Sequence, residues 1–396
     1  MYSRDIGVVG GLGHVGLPLG LAFAMQGLQV VAYDINKGAI EKIRQGELPF
    51  LEQGGQETLR LVQGKTFHVS TDLQSIASAR FVIIVIGTPV DEHLNPKFSL
   101  FKKFIDTFVE VLSDAQHIIL RSTVYPGITA KVLRYLRGRG KQCSVSFCPE
   151  RIVQGQALHE IATLPQIVAS FDDAAYQDAA KLFLHVAPEV VRLEPAEAEL
   201  AKLFNNVWRY IQFATANQFF TIATTNGLDY YKIHKAMTYK YPRAQGMPAA
   251  GFAAGPCLFK DTMQLAAFSG NRFFLGHSAM LINEGLPFFI LERLKEKFAI
   301  EQMTVGILGM AFKANNDDKR ESLSYKMRNI FEAEAMQVLC SDIYIVEPDF
   351  ISPEELVEKS QIIILAAPHR EYLLLTIPPE KYLVDVWNFF GKGGIV

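Results

Sequence analysis

The sequence predicts an α/β protein: two doubly wound parallel-sheet domains, joined by a long central helix and a helical middle domain. Three observations predict it. Short β-branched runs alternate with amphipathic stretches through the first half, the pattern of strands and crossover helices. From Ala196 to about Asn226 the chain holds neither Pro nor Gly. At Met303 a new apolar run, TVGILGMAF, restarts the α/β pattern.

In chain order, the strand candidates of the first half are Ile6–Val9, Leu28–Ala32, Phe81–Ile86, His117–Leu120, Val145–Phe147 and Gln166–Ala169. They are short and nearly continuous, as expected of parallel strands covered on both faces. Between them, Lys37–Arg44 and Leu100–Leu112 carry helical spacing. The stretch from Ala196 reads as one long helix stopped by Gly227. Helical sequence continues to about Lys297, and further strand candidates lie at Gln361–Ala366 and Tyr382–Val386. The expected domains are 1–195, 196–298 and 299–396.

Composition narrows the function classes. The 396 residues allow two or three domains. Apolar residues make up 49% and charged residues 20%, with a formal net charge of −2, which excludes disordered and collagen-like chains. The balance offers no basic field for nucleic acid and no polybasic membrane patch. Four cysteines in a chain this long cannot be a disulfide framework, so a reducing cytoplasm is the expected setting. Ile6 to Tyr33 contains no Asp, Glu, Lys or Arg and imitates a membrane span. Its glycines and Pro18 read instead as strand, tight turn, helix and strand.

Gly11-Leu12-Gly13-His14-Val15-Gly16 follows the first strand candidate and opens a helix. Gly11 permits a tight turn, Gly13 lets a pyrophosphate approach the backbone, and Gly16 lets helix and sheet pack closely. Free N–H groups at the helix start attract the diphosphate. Asp34 ends the next strand, where an acid binds a ribose diol and disfavours a 2′-phosphate. The expectation is a Rossmann-like domain that takes NAD rather than NADP.

Further features carry chemistry. Cys257, with Lys260 and Asp261 three and four residues on, shares the first turns of a helix beginning near Pro256. A thiol there is a nucleophile or a buried structural Cys. Cys143, Cys148 and Cys340 read as core, and no residues complete a metal site. Lys202 and Asn206 share a helix face, functional or solvated. Lys313 and Arg320 follow the second Gly-ended strand, where cations suit a phosphate-bearing ligand as well as a polar surface loop.

Taken in order, these segments resemble the UDP-glucose/GDP-mannose dehydrogenase family over nearly the whole chain. GLGHVGLPLG is similar to its cofactor turn, IGTPVDE to its TP segment and STVYPGIT to its T-V-x-P-G-T segment. CPERIVQGQAL resembles its P-E-R segment, EAELAKLFNN its E-L-x-K-x-x-x-N helix and AAGPCLFKD its catalytic G-G-x-C-x-x-K-D. GMAFKANNDDKRES resembles the opening of its C-terminal nucleotide-binding domain.

The resemblance implies an NAD-dependent, four-electron oxidation of the C6 alcohol of a nucleotide-linked hexose to a carboxylate. It implies a thiol adduct at Cys257, with Lys202 or a water held by Asp261 as the first base. Lys202 and Asn206 stabilise the oxyanion, and Glu150 and Thr123 position the hydrolytic water. Thr88 and Thr123 lie along NAD beside Gly11, Gly13, His14, Val15, Gly16 and Asp34. Glu150, Lys202, Asn206, Lys260, Lys313 and Arg320 contact the nucleotide sugar, and Arg243 reaches a neighbouring subunit's substrate. A site is expected in the cleft between the two sheet domains, where ligands bind at strand carboxyl ends. The resemblance, with the abundant apolar residues of the middle-domain helices, implies a homodimer through that domain. The resemblance also implies a place in polysaccharide biosynthesis.

The chain departs from the family at Ala254, where a glycine is usual, at Pro256 in the variable position, and at Gln218 after Asn217. UDP-glucose is the first substrate expected, with UDP-N-acetylhexosamine and GDP-mannose next. Lys260-Asp261 leans toward the glucose and mannose branches, and Tyr241-Pro242-Arg243 toward the N-acetylhexosamine branch. A two-electron hydroxy-acid dehydrogenase and a non-catalytic nucleotide-sugar binder stay open as other classes.

Overall fold

The computed structural model describes residues 2–87, 98–393 and 396. The chain divides into two compact units, Met1–Phe204 and Asn205–Val396. Unit 1 runs β1 (Arg4–Val9), α1 (Gly16–Met25), β2 (Val30–Tyr33), α2 (Lys37–Arg44), α3 (Gly55–Val62), β3 (Phe67–Ser70) and β4 (Ala79–Ile84). It continues through α4 (Phe98–Val109), β5 (His117–Leu120), α5 (Ile128–Gly138), β6 (Ser144–Phe147), α6 (Ala157–Thr163), β7 (Gln166–Ser170), α7 (Asp173–Phe183) and β8 (Val190–Leu193).

The strand order is β3-β2-β1-β4-β5-β6-β7-β8, with the order reversing between β1 and β4. Such a switch point leaves a crevice at the strand carboxyl ends. Alternate residues of β4 enter opposite layers: Phe81 and Ile83 pack with α1, Val82 and Ile84 with the α4 and α5 side. The charge-free segment from Ile6 is therefore strand, helix and strand, as its glycines indicate. One expectation changes. β7 runs antiparallel to β6, pairing Phe147 with Ala169, although β8 runs parallel to β7. The connection from β6 thus stays at the carboxyl end of that strand, and it carries Glu150.

The long helix read from Ala196 is α8 (Pro195–Thr225), 31 residues that contribute to both units. Unit 2 adds α9 (Tyr230–Thr238), α10 (Leu258–Phe268), α11 (Phe274–Lys295), β9 (Thr304–Leu308), α12 (Leu323–Glu332) and β10 (Gln337–Ser341). It ends with α13 (Pro353–Lys359), β11 (Ile362–Leu365) and β12 (Tyr382–Val384). Its sheet is parallel, in the order β10-β9-β11-β12. Ile362 and Ile364 face one core, Ile363 and Leu365 the other. α11 is long and apolar enough to cross a membrane by length and composition. Its Leu286, Ile290, Leu291 and Leu294 are buried in the core of unit 2.

Candidate active site

The glycine turn meets the demands of a dinucleotide. The left-handed residue is Gly10, at φ 73°, one position before the glycine that the sequence assigns to the turn. Gly11 has no room for a side chain: a Cβ would sit 2.7 Å from that of Ala32. At Gly16 it would sit 2.5 Å from the Gly10 carbonyl oxygen. At Gly13 it would meet only that oxygen, at 3.8 Å, and Gly13 is exposed. α1 begins at Gly16 after Val15, with no side-chain cap and no acid in its first turn, which leaves N–H groups for an anion. Asp34 follows β2 and its Oδ2 accepts the Leu12 N–H at 3.0 Å, so the acid is fixed beside the turn. The His14 ring lies 4.0 Å from that of Phe50. Thr88 lies outside the described residues.

A buried ion pair forms the second part of the site in unit 1. Lys202 Nζ lies 2.7 Å from Glu150 Oε1. Burial pushes the Glu150 carboxyl up, but Lys202, then Arg121 and the Ile152 N–H, hold it below its ordinary value. The solvated-face reading of Lys202 and Asn206 is thereby overturned, since both are buried. Glu199, one turn before Lys202, accepts from Gly127 N–H, Thr129 N–H and the Thr129 hydroxyl. It ties α8 to the start of α5 and so to the segment bearing Thr123. Thr123 is half-buried, just past the carboxyl end of β5.

In unit 2, the Asn206 amide donates to Asp261 Oδ2 at 2.6 Å, and Lys260 Nζ lies 3.5 Å from Asp261 Oδ1. Asp261 is fully buried, whereas Cys257, four residues earlier, immediately precedes α10 and is exposed. The thiol is open to a ligand, and the other three cysteines are buried as core. Among the described residues no cluster could hold a metal.

The loop after β9 carries Lys313 and Arg320. Arg320 forks onto Asp318, 2.9 and 2.6 Å away, which raises its basicity; the Cys257 sulfur adds to this from nearby. Lys313 lies over the Phe312 ring. That ring packs on Gly255: a Cβ there would sit 2.5 Å from it. Arg243 is exposed, in a short 3-10 turn, with Tyr241 beside it.

Sequence reasoning missed three supports. Arg121 is buried and donates to the Cys148 carbonyl and the Gln166 side chain, below Glu150. Glu199 was legible only as part of a motif. Asn217, without a sequence-based role, pairs its amide with both the N–H and the C=O of Gly251, at 2.8 and 2.9 Å. Asn283 backs it. This clamp fixes the chain that leads to Cys257. Buried amides with no sequence neighbour of like kind leave no pattern to read.

Comparison with known proteins matches three models in order. They are the UDP-glucose/GDP-mannose dehydrogenase family NAD binding domain over residues 4–186, the central domain over 196–284 and the UDP binding domain over 306–392. The chain is 31% identical to the UDP-N-acetyl-D-mannosamine dehydrogenase of Pyrococcus horikoshii, over 91% of this chain and 89% of that one. The protein of that name from Methanocaldococcus jannaschii is 29% identical, over 91% and 85%. A solved structure, the UDP-D-ManNAc dehydrogenase of Pyrococcus horikoshii, superposes with a TM-score of 0.87 at 28% identity, covering 94% of this chain and 91% of that chain.

Proposed function

We propose a reaction and a substrate for this chain from one premise: it belongs to the UDP-glucose/GDP-mannose dehydrogenase family, all three of whose domains it carries. It is an NAD-dependent nucleotide-sugar dehydrogenase, and the reaction we assign is the four-electron oxidation of a hexose C6 alcohol to a carboxylate. NAD, when bound, accepts the hydride of each oxidation. The chain's own contribution begins with the exposed Cys257 thiol, the single observation on which the reading rests. Its sulfur bonds to the aldehyde carbon and holds the reactive intermediate between the two oxidations. Oxidation of that adduct yields a thioester, and water hydrolyses it to release the acid and the thiol. Glu150 and Thr123 are assigned to that water.

The Lys202–Glu150 pair supports a cationic Lys202, which stabilises an oxyanion together with the Asn206 amide. A water held by Asp261 is then the first proton acceptor in this reading. Lys313 and Arg320 hold the diphosphate end, and Lys260 orients Asp261. Arg243, exposed and supported by Tyr241, is assigned to the substrate of a neighbouring subunit.

For the sugar we infer a UDP-N-acetylhexosamine, with UDP-N-acetylmannosamine first. The names of the relatives support it, as does the Tyr241-Pro242-Arg243 stretch. UDP-glucose, put first on sequence alone, is the competing reading. NADH absorbance with a panel of UDP-sugars and GDP-mannose tests both: two NADH per sugar support the reaction, and the sugar that turns over names the substrate. One NADH per sugar would instead favour a simple two-electron dehydrogenase.

We also infer a homodimer in a reducing cytoplasm. Trp208, Phe219 and Ile222 stand exposed on α8, and no disulfide joins any two of Cys143, Cys148, Cys257 and Cys340. Ultracentrifugation showing only monomer would refute the dimer.

A further inference from the structure

The two sheet domains treat the same acid differently. In unit 1, Asp34 grips the turn through Leu12 N–H and Asn36 N–H and stays partly exposed. In unit 2, Asp342 follows β10 and grips the turn after β9, accepting from Met310 N–H at 2.5 Å and Ala311 N–H at 3.0 Å. The Asp342 carboxylate is fully buried, and His369 Nε2 lies 3.1 Å from its Oδ2. The His369 ring is also fully buried, between the rings of Tyr344 and Tyr372 at 4.9 and 5.4 Å.

The other ring nitrogen points into the loop after β9. Asn315 N–H donates to His369 Nδ1 at 2.9 Å. A donor facing Nδ1 makes that nitrogen the acceptor, so the ring proton sits on Nε2 and goes to Asp342. Asn315 is left-handed, at φ 53°, and its side chain accepts the Arg370 N–H at 3.0 Å. Two residues earlier is Lys313. The loop closes where Phe312 N–H meets the Asp318 carbonyl, and Asp318 holds Arg320.

We propose that His369 is a positioning residue: its Nδ1 holds the Asn315 backbone and thereby presents Lys313 and Arg320 to the diphosphate of the nucleotide sugar. This rests on the reading above that the loop holds that end of the substrate. The ring is closed off from solvent. Its effect passes through one backbone hydrogen bond, which separates it from a residue that merely fills the core.

The two nitrogens can be tested apart. His369→Asn keeps an acceptor near the Nδ1 position and loses the donor to Asp342. His369→Gln keeps a donor near the Nε2 position and loses the acceptor for Asn315. UDP and NAD are titrated separately into the full chain. His369→Gln is expected to weaken UDP roughly fivefold, what one backbone hydrogen bond contributes, with NAD affinity unchanged. His369→Asn stays near wild type for both. Equal weakening of UDP and NAD, or no difference between the two variants, overturns the proposal. Amide exchange of the wild-type protein stands independent of how the variants fold. Asn315 is expected to be protected relative to exposed Lys319, and exchange as fast as Lys319 also overturns it. Lys313→Met is the control on the underlying reading. Unchanged UDP affinity in that variant, with Asn315 still protected, removes the substrate role of the loop while leaving the His369 contact standing.

Discussion

The Lys202 ammonium lies 2.7 Å from the Glu150 carboxylate, with only 4% and 12% of the two side chains exposed. A buried pair of this kind is strongly asymmetric: removing one partner strands the other charge. Glu150→Gln is therefore expected to destabilise unit 1 by about 3 kcal/mol at neutral pH. The sign of the pH effect follows from the lowered Glu150 carboxyl. Its contribution is complete above the ordinary value of 4.5 and is lost as the pH falls through the lower folded value. Urea unfolding of wild type and variant should differ most near pH 7 and converge on acidification. A gap that persists unchanged at strongly acid pH would show that charge is not its origin.

Cys257 should be chemically distinct from the other thiols. It is exposed at the start of α10, whereas burial pushes Cys143 up to about 11 and Cys148 and Cys340 up to about 12. The thiolate is the reactive form. Iodoacetamide near pH 8 is expected to label one cysteine of the four quickly and to abolish activity in step with labelling. Peptide mapping reads the position. Cys257→Ser should melt within about 0.5 kcal/mol of wild type, as an exposed substitution does, while net oxidation to the acid is lost. Full turnover to the acid in that variant would end the covalent mechanism.

The fold was largely legible because both sheets announce themselves by pattern. β5 and α2 fall on the ranges read from sequence, and α8 begins one residue earlier. β3 and β8 were not legible: each is a four-residue edge strand, with partly exposed residues such as His68 and Arg192 where a buried run would give a signal. The site was legible as motifs and not as geometry. Spacing put Lys202 and Asn206 on one face, yet it could not say that each meets its own acid, Glu150 and Asp261. Those partners lie far along the chain, 52 and 55 residues away, and only the tertiary fold brings them in.

The departures around Cys257 separate a tolerant position from an intolerant one. Gly255 has φ 104°, and a Cβ there would sit 2.5 Å from the Phe312 ring. Its N–H also donates to the Glu321 carbonyl. Gly255→Ala is expected to cost roughly 1–3 kcal/mol and to lower activity, because the strained backbone and the ring must both shift. Ala254 is half-buried against the core of unit 2, so Ala254→Gly, which restores the family's usual residue, should cost about 1 kcal/mol or less. Thermal melts and turnover of the two variants make the comparison. Equal effects would mean that the Phe312 contact does not constrain this loop.

Cofactor choice should follow from Asp34. Its two carboxylate oxygens are held by Leu12 N–H at 3.0 Å and Asn36 N–H at 2.9 Å, so the charge cannot swing away from the glycine turn. A fixed carboxylate accepts from a ribose diol and repels a 2′-phosphate. Like charges brought together this way cost several kcal/mol. Asp34→Asn keeps an acceptor for Leu12 N–H and removes the charge. It is expected to weaken NAD several-fold while raising kcat/KM for NADP, so that the NAD-to-NADP preference falls roughly tenfold or more. Both constants are read from NADH and NADPH formation at saturating sugar. If the preference stays where it was, the discrimination belongs to another group, and the turn held by Asp34 serves only to bind the diphosphate.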